Sequence, residues 1–457
     1  MRFGNEKGHA PDRRFIPCPV EAKAMKAVGA KKQTVFLTGV NAVVRALGLL
    51  LRVMLSRLLG AEIMGIAELA QGVHMLAIAP LTSGIPMAIS RMTACAAKDE
   101  KQKPLLAGIF LVRVASAALI PALLLFSPLL ARWMGDVRVL PSLWFSAPCI
   151  LILGYSAAFN GYCYGMERSL EPALSELIEQ AARLILSFLL LTWLSRLTAA
   201  WLAAVPVAAT MAAEIIGLMF VLARLRIPLR GTAQAAAWRE PVLRLAAPAT
   251  LTRLVQTLLR SMTAILIPLR LQASGLPAAE ATSRLGMLNG MVMPILMLPC
   301  VFTSALSMVA LPRIAKAEDD PRELKRLILT CLASCLPVAL GCTAVVYASA
   351  PVLANTVYRM AELTALFRAS APLTALFTVC HLTGAVTTAL GQQKRSMYGA
   401  VAVSGVTLAL TCLLAAMPGL RLYGVIAAQA AGQVLMLLWN VGIVALWRKE
   451  RRTAAHA

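Results

Sequence analysis

Long apolar stretches separated by short polar segments run along most of the chain. Each is about 20 residues or longer, the length that an α-helix needs to cross the roughly 30 Å hydrocarbon core of a bilayer. Because a single helix satisfies its own backbone hydrogen bonds in lipid, the pattern predicts an all-α polytopic membrane protein. The twelve predicted spans are residues 34–58, 66–95, 105–128, 140–164, 173–194, 197–223, 245–269, 285–312, 325–348, 370–390, 396–416 and 422–447.

Composition and charge agree with this fold class. Hydrophobic residues make up 59% of the 457 residues and charged residues only 14%, which is far from the balance of a soluble domain. The formal net charge of +23 would suggest nucleic-acid binding in a soluble protein. Here most Lys and Arg residues fall in the tails and in alternate polar segments, which predicts a cell-membrane protein with both termini in the cytoplasm. The partners expected for these charges are anionic membrane lipids, not nucleic acid.

The two halves of the chain resemble each other. Arg45 and Arg52 lie seven residues apart in the first span, and Arg253 and Arg260 repeat that spacing in the seventh. Six crossings per copy bring both copies into the membrane in the same direction, so we expect two pseudo-twofold-related six-helix lobes around a central cavity. The predicted division is a cytoplasmic N-terminal tail (1–33), an N-lobe (34–223), a basic cytoplasmic linker (224–244), a C-lobe (245–447) and a basic cytoplasmic C-terminal tail (448–457).

Four arginines inside the spans are candidate substrate ligands: Arg45, Arg52, Arg253 and Arg260. Seven residues are close to two helical turns, so each pair lies on one helix face. A charge inside the bilayer is energetically costly, so an arginine there is by default a candidate functional residue. Neither span contains an acidic residue, so the four cations suit an anionic ligand, and guanidinium groups bind phosphate oxygens bidentately. The alternative is a structural role, in which the arginines pair with carboxylates of other helices such as Glu68, Glu176 or Glu214.

Three further arginines inside the predicted spans need an explanation. Arg183 follows Glu179 by one helical turn, the spacing of a favourable ion pair, which predicts a structural or gating pair. Arg57 is near a helix end, where its side chain can reach the membrane interface. Arg113 has no evident partner in its own helix, and its role is left open.

The sequence predicts neither an enzyme nor a cofactor or metal site. Cys331, Cys335 and Cys342 share one predicted helix, but they form no CxxC pair, and Cys is an ordinary small apolar residue inside a helix. His74 and His381 stand alone on apolar faces, where a histidine is a core or cavity residue rather than half of a catalytic pair.

Several motifs in a fixed order carry a family resemblance. They are the run from Arg45 to Gly65, the run from Ser83 to Arg91, the stretch from Gly161 through Glu179 to Arg183, and the run from Pro268 to Gln272. In these motifs the chain resembles the stage V sporulation protein B-like, polysaccharide biosynthesis branch of the multidrug/oligosaccharidyl-lipid/polysaccharide exporter superfamily. The likeness covers nearly all of residues 34–447.

The resemblance implies a flippase with two six-helix lobes in a V shape that works by alternating access. It implies an anionic substrate, a polyprenyl-pyrophosphate-linked saccharide that serves as a peptidoglycan or polysaccharide precursor, and cell-wall polymerases as a further class of partner. By resemblance, the arginines of the first span line the cavity. The lipid II flippase usually has two more helices, which are not predicted here after residue 447, and the seventh span lacks a carboxylate for a sodium site.

Two other functions remain as alternatives. The first is a multidrug/cation antiporter of the same superfamily, whose substrates would favour acidic cavity residues. The first and seventh spans offer Arg residues and Asn41 instead. The second is a non-transporting membrane scaffold for cell-wall synthesis, which composition does not exclude but against which the charges inside the spans argue.

Overall fold

All regular elements in the described residues are helices, which confirms the predicted fold class. The computed structural model describes residues 27–225, 235–317 and 320–456. The helices are α1 (Ala27–Thr82), α2 (Gly84–Cys95), α3 (Lys103–Trp133), α4 (Leu140–Gly165), α5 (Leu170–Trp193), α6 (Ala199–Leu225), α7 (Ala236–Ala273), α8 (Ala278–Leu285), α9 (Met293–Leu296), α10 (Cys300–Lys316), α11 (Pro321–Val352), α12 (Leu363–Ala389), α13 (Gln393–Leu414) and α14 (Arg421–His456). Two π-helical segments, Gly286–Val292 and Leu353–Tyr358, follow α8 and α11, and a short 3-10 turn, Val137–Val139, precedes α4.

Eight helices in the described part of the chain are long and apolar enough to cross a membrane, and a pair bent by 44°, α8–α9 with α10, makes a ninth. The eight are α3, α4, α6, α7, α11, α12, α13 and α14. The other predicted crossings fall on α1, α2 and α5. In α5, Glu176, Glu179 and Arg183 lie within about two turns, so this helix is long enough to span but more polar. The elements are consistent with the twelve predicted crossings.

Helix α1 joins the first two predicted spans into one element. The sequence predicts a connection between residues 58 and 66, whereas the structure interrupts the helix only at Gly60, with φ 74° and ψ 175°. This backbone region is essentially restricted to glycine, because a Cβ atom would clash with the main chain. The two arms of α1, residues 27–59 and 61–82, therefore meet at a single residue.

Helix boundaries extend beyond the predicted spans. Helix α7 begins at Ala236, inside the predicted linker, and α14 continues to His456 through the predicted tail at 448–457. Hydropathy marks the part of a helix that lies in lipid, whereas the backbone hydrogen bonds continue into polar flanks. Residues 1–26 of the predicted N-terminal tail and 226–234 of the predicted linker lie outside the described residues. The division into lobes stays a prediction.

Connecting segments define two ends of the bundle. The end called the basic end holds segments such as 96–102 and 390–392, and the end called the opposite end holds 134–139 and 415–420. The second arm of α1 runs antiparallel to α7 between these ends. The hydroxyl of Ser261 in α7 donates to the carbonyl of Gly72 at 2.7 Å, which fixes the two helices close together.

The first half (27–225) and the second half (235–456) are in close contact at the opposite end. Gly65 of α1 and Gly286 of the first π-helical segment lie at this crossing. A Cβ atom on Gly65 would overlap the carbonyl oxygen of Thr282, and one on Gly286 would overlap that of Ala61. The absence of these two side chains lets the backbones approach, as small residues do at helix contacts in membranes.

Apolar residues cover both the interior and the outer surface. A large buried cluster spans helices of both halves, and a smaller one lies between α10, α11, α12 and α14 and includes Cys331 and Cys335. Large apolar side chains such as Leu125 (74% exposed) and Trp193 (87%) point away from the protein. In a membrane protein such a surface faces hydrocarbon, and Trp residues near helix ends suit the interface.

Candidate functional site

Arg253 and Arg260 lie on one face of α7, as their spacing predicts. Both line a cavity of about 220 Å³ between α7 and the second arm of α1. This cavity, called the arginine cavity, is also lined by Glu68, Gln71 and Gln256. The positive charges of Arg253 and Arg260 repel each other, so the two guanidinium groups lie near each other. Among the ion pairs of the described residues, neither arginine has a carboxylate partner.

Arg52 has a partner, and it is one that the structural alternative named. Its guanidinium forms a salt bridge with Glu68, which lies beyond the Gly60 break on the second arm of α1. The Glu68 side chain is only 13% exposed. The break folds the two arms against each other, so the carboxylate reaches an arginine sixteen residues away in sequence. The charge of Arg52 is therefore compensated within the protein.

Arg45 faces a different part of the molecule. It is exposed on the first arm of α1. Its positive charge is close enough to the side chains of Cys300 and His381 to interact with them electrostatically. Those residues belong to α10 and α12 of the second half. The structure thus groups three of the predicted arginines around Glu68 and places the fourth toward α10 and α12.

A second cavity, of about 250 Å³, lies inside the first half. This first-half cavity is lined by Arg52, Glu68, His74, Arg183 and Glu214, among others. His74 is only 2% exposed, and its Nδ1 has no hydrogen-bond partner among the described residues. Glu68 lines both cavities, whereas Arg52 lines only the first-half cavity. Their salt bridge therefore compensates the charge of Glu68 on the side of the first-half cavity.

Glu179 and Arg183, the predicted pair, each have a different partner in the structure. Arg183 forms its salt bridge with Glu214 of α6, with the two atoms 3.2 Å apart. Glu179 instead accepts a hydrogen bond from the Ser175 hydroxyl at 2.7 Å. Helical side chains lean toward the N-terminus, which brings the Glu179 carboxylate to Ser175 and leaves Arg183 free to reach across to α6. The ion pair therefore joins two helices instead of bracing one turn, and its structural or gating role stays a prediction.

Arg57 and Arg113 also have specific partners. The Arg57 guanidinium donates to the carbonyl oxygens of Thr356 and Val357 at 2.5 Å each, in the second π-helical segment. It thus bridges the two halves at the opposite end instead of reaching only for the interface. Arg113 donates to the Tyr155 hydroxyl of α4 at 2.8 Å.

Sequence reasoning missed these contacts because all of them cross between elements. The carbonyl acceptors of Arg57 belong to residues about 300 positions away. Backbone oxygens at a helix end leave no trace in side-chain identity. Glu214, by contrast, was visible as an acidic residue inside an apolar span, and such residues rarely lack a partner.

The two cavities differ in how the charges of their lining residues are compensated. In the first-half cavity, Glu68 and Glu214 are each paired with an arginine. In the arginine cavity, two guanidinium groups lie beside Glu68 and glutamine side chains, in a space whose remaining lining is mostly apolar. Such an arrangement can bind a polyanion through charge-assisted hydrogen bonds, and phosphate oxygens match the planar donors.

Comparison with known proteins begins with the family. The profile of a family described as polysaccharide biosynthesis protein matches residues 30–318, which is more than half of the chain. Stage V sporulation protein B of Bacillus subtilis (strain 168) is 25% identical over 444 residues, a match that covers 90% of this chain and 83% of that protein.

Solved structures of membrane transporters share this fold. An inward-facing multidrug resistance MATE family transporter of the MOP superfamily is similar with a TM-score of 0.74 and 14% identity, over 89% of this chain and 96% of that one. The lipid II flippase MurJ, in an inward closed conformation, gives a TM-score of 0.70 and 14% identity, over 92% and 93%. The outward-facing MATE structure gives 0.59 and 15% identity, over 90% and 94%. The fold that the resemblance implied is confirmed, and these matched proteins are transporters and a flippase, not enzymes.

Proposed function

Because the chain belongs to the polysaccharide biosynthesis protein family, we propose that it is a flippase for an anionic polyprenyl-pyrophosphate-linked saccharide. The saccharide is a precursor of peptidoglycan or of another polysaccharide, and the flippase moves it across the cell membrane. The observation that carries the proposal is the arginine cavity, where Arg253 and Arg260 have no carboxylate partner among the described residues. Two uncompensated charges inside a membrane protein are costly. A pyrophosphate supplies the missing negative charge.

The ion pair of Arg52 and Glu68 supports this assignment. Glu68 lines the arginine cavity, and a free carboxylate there would neutralise an α7 arginine and repel a phosphate. Its salt bridge to Arg52 holds that charge on the first-half side. Arg52 thus acts as a positioning residue for the binding site, and Arg45 extends the positive charge toward α10 and α12.

The contacts between the halves suit alternating access. The opposite end is closed by the crossing of Gly65 with Gly286 and by the hydrogen bonds of Arg57. We infer that a substrate of this conformation enters from the basic end, which the Lys and Arg distribution assigns to the cytoplasm. The halves also touch toward that end, where Gly84 of α2 packs on the backbone of Ala246 in α7. Transport then requires the contacts at the opposite end to open while the halves close at the basic end.

A cation antiporter is the less favoured function. An organic cation needs carboxylates with uncompensated charge, and the two that line the first-half cavity, Glu68 and Glu214, are each in a salt bridge. Glu179 is 8% exposed and accepts from Ser175. The net charge of the arginine-cavity lining is positive, because Arg253 and Arg260 outnumber Glu68.

Binding and transport by the purified protein in proteoliposomes test the proposal. The probe is an undecaprenyl-pyrophosphate disaccharide, and the variant is Arg253→Gln with Arg260→Gln. Each hydrogen bond between charged groups contributes about 1.5–3 kcal/mol. The double variant should therefore bind the probe at least about 100-fold more weakly, because every 1.4 kcal/mol is tenfold, and transport should be lost.

Arg244→Gln is the matched control. It removes an arginine from the same helix, but Arg244 is 72% exposed and pairs with Glu240 outside the cavity, so its loss should change binding little. Unchanged binding and transport in the double variant, at equal abundance in the membrane, would contradict the assignment. Transport of an organic cation in place of the disaccharide lipid would favour the antiporter.

A further inference from the structure

A third cavity lies in the second half, between α10 and α12, and its lining carries no formal charge. It measures about 480 Å³ and is broadly open on one side. Its polar lining residues are Ser304, Ser307, His381 and Thr388, and the apolar or small residues Leu311, Cys380, Gly384 and Ala385 supply most of its surface. The α10 serines are three apart, and the α12 residues follow each other at helical spacing, so each set lies on one helix face. We call it the hydroxyl cavity.

Its hydroxyl groups already donate their protons within their own helices. Ser304 donates to the carbonyl of Cys300 at 2.8 Å, and Ser307 donates to that of Thr303 at 2.7 Å. Thr388 donates to the carbonyl of Gly384 at 3.0 Å. A hydroxyl has one donor and two acceptor positions, so these groups are left as acceptors.

His381 completes the same pattern. Its Nδ1 lies 2.9 Å from the hydroxyl oxygen of Thr303, and that hydroxyl donates to the carbonyl of Cys300 at 3.1 Å. With the Thr303 proton assigned to that carbonyl, the hydrogen-bond pattern assigns the hydrogen of the short contact to Nδ1 of His381. The other ring nitrogen, Nε2, then carries a lone pair. The cavity therefore offers acceptors from both helices.

The surroundings select among ligands that donate hydrogen bonds. Organic ammonium ions donate, but Arg45 acts electrostatically on His381 and disfavours a second cation there. Phosphate oxygens are acceptors and find no donors in this lining. A polyol donates from many hydroxyl groups without carrying charge, and the small side chains of Gly384 and Ala385 leave room for a ring.

We propose that the hydroxyl cavity binds the saccharide part of the substrate while the arginine cavity binds its pyrophosphate. This inference rests on the proposed function and adds a second subsite to it. The two cavities divide the recognition of one molecule. The charged group meets guanidinium donors on α7, and the neutral sugar meets acceptors on α10 and α12.

The test compares two ligands that differ only in the sugar. Affinities of the full-length protein in detergent are measured for undecaprenyl pyrophosphate and for its disaccharide conjugate. The variant is Ser304→Ala with Ser307→Ala and Thr388→Val, which removes three acceptors and keeps the shape. We expect the conjugate to bind roughly tenfold more weakly, the effect of losing one to three neutral hydrogen bonds. Binding of the sugar-free lipid should not change.

A control with the same chemistry lies on α11. Thr330→Val with Ser334→Ala and Ser349→Ala removes three exposed hydroxyls that also donate to their own helix, and it should alter neither affinity. If the triple cavity variant does not fold, Thr388→Val alone takes its place, with an expected loss of about threefold.

The possible results distinguish failure of the saccharide subsite from failure of the proposed flippase function. If the unaltered protein binds both lipids equally, or if the cavity variant weakens both equally, the saccharide subsite is wrong and the flippase proposal stands. Binding of neither lipid by the unaltered protein overturns both. Loss of both ligands in Arg253→Gln with Arg260→Gln, beside loss of the conjugate alone in the cavity variant, supports the two-subsite scheme.

Discussion

Arg183 lies between two acidic side chains in the interior of the first half, and within the described part of the chain its ion-pair partner is Glu214. Removing one member of a buried pair leaves the other charge uncompensated, which typically costs about 3–5 kcal/mol. We expect Arg183→Gln to lower the melting temperature of the purified protein. Glu179→Gln should lower it much less, because an amide oxygen can still accept from Ser175.

Thermal unfolding in detergent measures both variants. Arg183→Gln combined with Glu214→Gln should recover part of the lost stability, because no unpaired charge remains. A melting temperature lowered equally by Glu179→Gln and Arg183→Gln would instead assign the ion pair to the one-turn partner that the spacing suggested.

Gly60 is the residue at which α1 changes direction, and its conformation excludes other residues. An alanine there is strained whatever space surrounds it, at a cost of about 1–3 kcal/mol. We expect Gly60→Ala to reduce thermal stability by that order. Gly39→Ala, in the first arm with open space around the added methyl group, should be neutral or stabilising. Equal melting temperatures of the two variants would show that the break tolerates an ordinary residue.

At the scale of elements, Arg57 connects α1 to the π-helical end of α11. Its two hydrogen bonds cap carbonyl groups that lack a partner in their own helix. Arg57→Gln should therefore loosen the contact between the halves at the opposite end. The expected result is faster labelling of Val357→Cys by a membrane-impermeant maleimide, measured relative to protein without the introduced cysteine.

Arg132→Gln serves as the control for Arg57, since it removes a positive charge at the same end from the last turn of α3. In the Arg132→Gln variant, Val357→Cys should be labelled at the same rate as in the protein in which no arginine is replaced. If Arg57→Gln labels no faster than this control, the contact does not hold the halves together.

Hydropathy located α4, α5, α6 and α13 within a few residues, because each is a continuous apolar run with polar ends. It missed the start of α12 at Leu363 and the end of α14 at His456, where the helix continues into polar flanks. It could not place the break in α1, where only the backbone conformation of Gly60 distinguishes one bent helix from two. The seven-residue spacing predicted that Arg253 and Arg260 share a face. It could not predict that Arg52 meets Glu68, since that contact depends on the angle between the arms of α1.

For the whole molecule, the orientation in the membrane is the first property to test. The Lys and Arg distribution predicts that the basic end faces the cytoplasm. In intact cells, Gly419→Cys at the opposite end should then react with an impermeant thiol reagent, and Gln392→Cys at the basic end should react only after the cells are opened. Gly419 has open space around it, so the substitution itself is tolerated. The reverse pattern would invert the topology.

The arginine cavity also gives the proposed flippase an electrical property. Arg253 and Arg260 add two positive charges to the empty protein at membrane depth, and a bound pyrophosphate cancels them. One elementary charge that crosses the whole membrane field changes energy by about 2.3 kcal/mol per 100 mV. Voltage therefore acts on the return of the empty carrier more than on the loaded step. An inside-negative potential draws the empty cavity toward the cytoplasm, the side from which it loads.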